Sequence, residues 1–328
     1  MEVLLVKEAE LRRSVSIEEA ISAVEAGFTR LADGEVNLPP VLSLDRPEVK
    51  GEVHVKGAYI NGAGSLAIKV ATGFYDNPSL GLPSGAGLMM VFDSQTGFLQ
   101  ALLFDNGYLT DIRTGAAGAV AAKYLSRSKV NVVGVIGSGA QGRYQIMALA
   151  KVRSFGKLLA YDLDKTRLDS YVEEMPDIIG VDCVAAPDVE SVVRESDILV
   201  TSTPTTKPFV RADWLHAGLH ITAMGSDAPY KQELESEVLS RADLIVCDHK
   251  GQCSERGELH HGLEDGTVGE DDEIVELGEL TSGRHPGRTD DSQITMCDLT
   301  GVGVQDAAIA TLAYDKAVQE GLGSRLDL

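Results

Sequence analysis

Three glycines, Gly137, Gly139 and Gly142, stand at G-x-G-x-x-G spacing within VVGVIGSGAQGRYQ. The spacing by itself says little, but its surroundings give it meaning. An apolar, strand-like run precedes it, a helical pattern follows, and an acid, Asp162, closes the next apolar run LLAYD. In such a unit the first glycine allows a tight turn and the second lets backbone approach a pyrophosphate. The third lets the helix pack close on the strand, so that the helix N-terminus faces the phosphates. Asp162 is placed to accept hydrogen bonds from ribose hydroxyls and to repel a 2′-phosphate. Lys165 and Arg167 lie a few residues beyond it, and no arginine replaces it, so the expected cofactor is NAD rather than NADP.

Other residues invite chemistry less specifically. Lys69, in LAIKVATG, falls in a strand-like apolar run, where a lysine either snorkels to solvent or points into a cleft. Arg113, in LTDIRTG, reads by itself as a surface arginine or a partner for Asp111. Asp227, in HITAMGSDAPYKQEL, lies just past a strand, where ligands meet open α/β sheets, but aspartate is also a common helix N-cap. His260 and His261 are adjacent and make no H-x-x-x-H pair, so a solvated helix face and no metal are expected. No G-x-S-x-G nucleophile elbow occurs.

These residues need a scaffold, and the hydrophobic pattern outlines one. Ile17, Ala20, Ile21, Val24 and Phe28 recur at helical spacing behind Ser16, a plausible N-cap followed by Glu18 and Glu19. From about residue 38 to 104 short apolar runs alternate with Gly, Pro, Asn and Asp, which predicts an antiparallel sheet with a hairpin turn at SQTG. A helix rich in small residues is expected from Tyr108 to about Leu125. From Val130 the order becomes strand, glycine turn, helix, strand, with further strands at DILVTSTP, HITAMGSD and DLIVCD, the pattern of a parallel sheet with crossover helices. A last helix lies in GVGVQDAAIATLAYDKAVQEGL.

The chain has 50 acidic and 29 basic residues among 328, a formal net charge of -21. A field of that sign repels phosphate backbones and anionic membranes, so neither nucleic acid nor membrane is an expected partner. No apolar run is long enough to span a bilayer, and the N-terminus lacks a signal-peptide pattern, so a cytoplasmic address is expected. Cys183, Cys247, Cys253 and Cys297 form no CxxC pair and read as reduced thiols.

A Rossmann unit in mid-chain is unusual. The string GLPSGAGLMMVFDSQTGFLQALLFDNGYLTDIRTGAAGAVAAKYL, then VIGSGAQ, TSTP, HITAMGSD, YKQEL and DLTGVGVQD, resembles the ornithine cyclodeaminase/μ-crystallin family over essentially the whole chain. GEVHVKGAYI, FYDNPSLGLPS and RGELHH are similar to its ectoine-utilisation branch, and the family includes the archaeal-type alanine dehydrogenases. The resemblance implies an α/β fold in which residues 127–303 form a Rossmann NAD-binding domain. Residues 1–126 with 304–328 would form a substrate-binding and dimerisation domain, and the protein would be a homodimer.

The same resemblance assigns roles. Lys69 becomes an active-site lysine, catalytic and substrate-binding, Arg113 a grip on the substrate carboxylate, and Asp227 the catalytic acid/base. Thr114 with Gly115, Ala140, Gln141, Thr203 and Ser226 join the glycines around the cofactor, and Val302 closes the substrate pocket. Ornithine cyclodeaminases carry a glutamate where Lys56 stands in EVHVKGAY. A lysine there repels a distal ammonium and attracts a second carboxylate. The implied activity is NAD(H)-dependent oxidoreduction at the Cα–N bond of a small amino or imino acid, dicarboxylic if Lys56 faces it. The alternatives are an ornithine cyclodeaminase-type ammonia-lyase that recycles NAD, and a μ-crystallin-like protein that binds cofactor and ligand without turnover.

Overall fold

A computed structural model describes residues 2–269 and 271–327. The chain divides into two compact units, residues 1–113 with 302–328 and residues 114–301. The first boundary falls inside a helix, after Arg113, rather than at the helix end near residue 126.

Elements are numbered in chain order. The first unit opens with strand β1 (Glu2–Lys7), then helices α1 (Glu8–Ser14) and α2 (Ile17–Ala32). Strands β2 (Val36–Asn37), β3 (Leu42–Arg46), β4 (Gly51–Ile60), β5 (Ser65–Phe74), β6 (Gly85–Asp93) and β7 (Leu99–Phe104) follow, then helix α3 (Tyr108–Leu125). Ser16 caps α2 in a reciprocal capping box with Glu19, as its sequence predicts. β3 to β7 pair antiparallel in chain order, β5 and β6 being joined by the longer segment 75–84, and at the turn after β6 Gly97 takes φ +73°.

The second unit contains β8 (Val132–Ile136), α4 (Ala140–Val152), β9 (Lys157–Tyr161), α5 (Lys165–Ile179), β10 (Cys183–Ala185), α6 (Val189–Glu195), β11 (Ile198–Thr201) and β12 (His220–Ala223). It continues with α7 (Glu237–Arg241), β13 (Leu244–Cys247), α8 (Lys250–Cys253), α9 (Glu258–Glu264), β14 (Ile274–Glu276), α10 (Leu277–Thr281) and β15 (Thr295–Asp298). Its eight strands run in the order β10-β9-β8-β11-β12-β15-β13-β14 and are all parallel. The order reverses at β8, so the glycine turn after β8 stands at the switch point where doubly wound sheets bind ligands. The small residues of α3 let α4 approach: a Cβ on Gly115 would lie 2.5 Å from the Tyr144 carbonyl oxygen.

The chain then returns to the first unit with α11 (Gly303–Glu320) and β16 (Ser324–Asp327). The sheet there has the order β16-β1-β7-β6-β5-β4-β2, with β3 on β4. Helices α2 and α11 meet where Gly27 faces Ala308 and Val304. No helix of the described residues is long and apolar enough to cross a membrane.

Candidate functional site

In the first unit, strand alternation turns Glu52, His54 and Lys56 of β4 to one buried face, with Lys69 of β5 paired across from Lys56. Helix α11 begins against this strand pair. A Cβ on Gly303 would overlap the backbone of Gly57, so only glycine lets the helix start so close. Two residues into α11 come Gln305 and Asp306, both buried. Asp306 Oδ1 lies 2.9 Å from Lys69 Nζ and 2.8 Å from Arg113 Nε, and Gln305 Oε1 accepts a 2.7 Å hydrogen bond from Arg113 Nη1. The contacts to Asp306 are charge–charge contacts without hydrogen-bond alignment.

Arg113 therefore belongs to a buried cluster. It is 5% exposed and its carboxylate partner is Asp306, not the nearby Asp111. Lys69 is 2% exposed, which removes the snorkelling option. Burial, with the neighbouring charges of Arg113 and Lys56, brings its pKa down to about 7 against the pull of Asp306. Burial works to raise the Asp306 carboxyl, but Arg113, Lys69 and Lys56 outweigh it, and the net shift is downward. Asp105 is raised by burial despite the N–H it accepts from Leu109. Lys69 and Arg113 thus share the Asp306 carboxylate, and Lys56 lies close enough to help hold it down.

The second unit holds a dinucleotide cradle. Gly137 takes φ +99°, and a Cβ there would lie 2.8 Å from the Ser202 carbonyl oxygen and 2.9 Å from Thr203 Cγ2. A Cβ on Gly142 would overlap the Gly137 carbonyl oxygen, whereas one on Gly139 would meet nothing within 4 Å. Gly139 is also the N-cap of α4 and itself supplies no side-chain cap to the first N–H groups of the helix. These features fit a pyrophosphate. Asp162, just past β9, accepts Ser138 N–H and Oγ–H at 2.8 Å each and Asp164 N–H at 2.8 Å. Arg167 comes within 3.8 Å of it, closer to this corner than its place in the sequence indicates.

Asp227 does not cap a helix. It lies in an irregular segment between β12 and α7 and accepts a 2.7 Å bond from Lys231 Nζ. Lys231 is 2% exposed, a buried lysine that sequence reasoning passed over in YKQEL. The Ser226 hydroxyl donates to the Lys231 carbonyl, so it is spent closing the same turn. Thr203 donates to Glu233, and the Thr114 carbonyl accepts from Gln145 of α4. Val302 is the fully buried N-cap of α11. His260 and His261 lie with Glu264 on α9, but each ring already donates to a carbonyl, of Ser254 and Lys231 respectively. The four cysteines are unpaired and buried, and burial pushes the Cys297 thiol far up, so it is inert toward nucleophilic chemistry.

The model of the Ornithine cyclodeaminase/mu-crystallin family matches residues 1–321. The chain belongs to this family. Three solved members of similar fold are informative. An archaeal alanine dehydrogenase, described as a dimer with bound NAD, is 36% identical with a TM-score of 0.92 over 100% of both chains. The Delta(1)-pyrroline-2-carboxylate reductase of Thermococcus litoralis, in complex with NADH and L-proline, is 31% identical with a TM-score of 0.94 over 98% of this chain and 99% of that one. The iminosuccinate reductase of Paracoccus denitrificans, in complex with NAD+, is 30% identical with a TM-score of 0.91 over 100% of both. Members of the ornithine cyclodeaminase/mu-crystallin family thus include reductases and dehydrogenases, and the resemblance read from the sequence motifs extends along the whole chain.

Proposed function

We propose that this protein is an NAD(H)-dependent oxidoreductase that interconverts a small dicarboxylic amino acid and its imino acid. The observation that carries the reading is the buried gathering of Lys56, Lys69 and Arg113 about the Asp306 carboxylate. Cationic side chains buried this close repel one another, as the Lys69 pKa, lowered by burial and by its cationic neighbours, reflects, and the carboxylates of an anionic ligand would offset that repulsion. Arg113, with its guanidinium held by Nε and Nη1, would take one carboxylate together with Lys69. Lys56 would take the second carboxylate and would repel the distal ammonium of a diamino acid. The iminosuccinate reductase among its relatives supports the dicarboxylate choice.

The cradle around Gly137, Gly139 and Gly142 would hold NAD, with Thr114, Ala140, Gln141 and Ser226 as further contacts, Asp162 at the ribose and Thr203 toward the nicotinamide. Val302 would wall the substrate pocket. NAD supplies hydride exchange at the substrate Cα. Asp227 would take or return the accompanying proton, beside the Lys231 ammonium that donates to it. The buried thiols fit a reducing, cytoplasmic compartment. A homodimer is the assembly we infer, by analogy with the archaeal alanine dehydrogenase.

The test is a screen of keto acids with ammonia for NADH consumption. Oxaloacetate should be the preferred partner over pyruvate, and Lys56→Glu should reverse that order. Conversion of ornithine without net change in NADH would overturn the reading in favour of cyclodeamination. Asp227→Asn retains an acceptor for Lys231 but cannot exchange a proton, so turnover should fall about 10²–10⁴-fold with NADH affinity near parental.

A further inference from the structure

Glu233 is fully buried, and its carboxylate is used to an unusual degree. Oε1 accepts the Thr203 N–H and the Thr203 hydroxyl, both at 2.7 Å. Oε2 accepts the Thr201 hydroxyl at 2.7 Å and the Gly225 N–H at 2.8 Å. These donors stand at the C-terminal ends of β11 and β12, the edge of the sheet on which the glycine turn lies.

The residue is anchored from behind as firmly as it grips in front. Its N–H donates to Glu258 Oε1 at 2.8 Å, that of Leu234 donates to Glu258 Oε2 at 3.1 Å, and its carbonyl accepts the N–H of Phe209 at 2.8 Å. Glu258 is itself buried, so two carboxylates stand near each other away from water, a costly arrangement. An amide in place of Glu233 would not do the same work. Its single oxygen accepts from about two donors, and its NH2 would face the Gly225 N–H.

The segment that Glu233 holds also faces the cradle. Ser202 donates through Oγ to the Gly137 carbonyl at 3.1 Å, and Thr203 is the residue a Gly137 side chain would strike. Gly225 directly precedes Ser226 and Asp227. One carboxylate therefore fastens both the Thr203 segment and the turn that carries Asp227.

We propose that Glu233 is a positioning residue for the nicotinamide end of the cofactor, fixing Thr203 and the Gly225–Asp227 turn relative to the glycine turn. The inference rests on the NAD(H) reading above. The donors to the Glu233 carboxylate are Thr201, Thr203 and Gly225 rather than the glycine turn itself, so its loss should weigh more on the nicotinamide half than on the pyrophosphate half.

The experiment compares the full-length parent with Glu233→Gln, using ADP-ribose and NADH as separate probes in titration calorimetry. ADP-ribose keeps the adenosine and pyrophosphate but lacks nicotinamide. NADH affinity should fall about 10-fold or more, the equivalent of one lost charge-assisted bond, while ADP-ribose affinity stays near parental. In the cofactor-free protein, amide exchange should quicken at Thr203 and Gly225 but not at Leu234. Thr201→Val removes one donor with little change of shape and should give a smaller loss of the same pattern, and it decides the matter if Glu233→Gln does not fold. Equal weakening of both probes, or parental NADH affinity, would overturn the positioning role while leaving the NAD(H) reading intact. A parent that binds neither probe would overturn both.

Discussion

Lys69 is the residue whose chemistry changed most between sequence and structure. In LAIKVATG it is a lysine in an apolar run; in the fold it is sealed beside Arg113 and Lys56, with a pKa of about 7. A lysine held below its ordinary value is charged only below that pH. If its charge helps grip a carboxylate, kcat/KM should be level below about pH 7 and decline above it, approaching tenfold per unit where binding needs the proton. An activity profile flat from pH 6 to 9 would remove Lys69 from substrate binding. Asp306 carries the complementary prediction. Asp306→Asn leaves Lys69 and Arg113 without the carboxylate they share, and breaking such a buried pair costs about 3–5 kcal/mol. Urea unfolding should register that loss, and a dicarboxylate such as succinate should restore part of it by binding the folded state. Unchanged stability would mean that water reaches the cluster. Asp306 was invisible in the sequence because its partners Lys69 and Arg113 are remote along the chain, and GVGVQD contains no local pattern that marks a buried acid.

Helix α11 carries Asp306 to its partners, and Gly303 decides how closely it can approach. Gly303→Ala would drive a methyl group into the Gly57 backbone, forcing α11 away from β4. A loss of roughly 1–3 kcal/mol is expected for such overpacking, together with a raised KM for substrate, because Gln305 and Asp306 move with the helix. Gly139→Ala is the contrast, since its Cβ has open space and the fold should tolerate it, with the loss confined to cofactor affinity. Denaturant midpoints and KM values for the two variants separate these outcomes. The elements that could be read from sequence are those with strong periodicity or punctuation: α2 behind Ser16, α3 over Tyr108–Leu125, the hairpins of β4 to β7, and the β8–α4–β9 unit. Those that escaped have little periodicity to read. β10 has only three residues, β15 (TMCD) sets just two apolar residues between polar ones, and β16 is exposed throughout and pairs with β1 from the far end of the chain. The helix-cap alternative for Asp227 falls away because its segment is not helical, and its partner Lys231 at i+4 could not be read from a loop without periodicity.

For the molecule as a whole, the sheet of the first unit presents a second face that bears on assembly. Leu42 and Leu44 of β3 are 53% and 59% exposed, and Phe104 of β7 is 43% exposed. In register beside them run Val53 and Val55 of β4, Val70 and Ile68 of β5, and Leu88 and Met90 of β6, all only partly buried. A contiguous apolar face of this kind is rarely left to water, and a second copy of the same chain is the occupant we infer. The net charge of -21 opposes that pairing, since each copy repels the other at long range. The apolar face must therefore overcome the repulsion, and salt should help it. Light scattering after size-exclusion chromatography should give a dimer at about 0.15 M salt, where the screening length is ~8 Å, with dissociation growing as the ionic strength is lowered. Leu42→Lys with Leu44→Glu places two charges on the exposed β3 margin of the face and should yield a folded monomer that still binds NADH. A parent that is monomeric at every salt concentration, or a double variant that remains dimeric, would show that this face is not the seat of assembly.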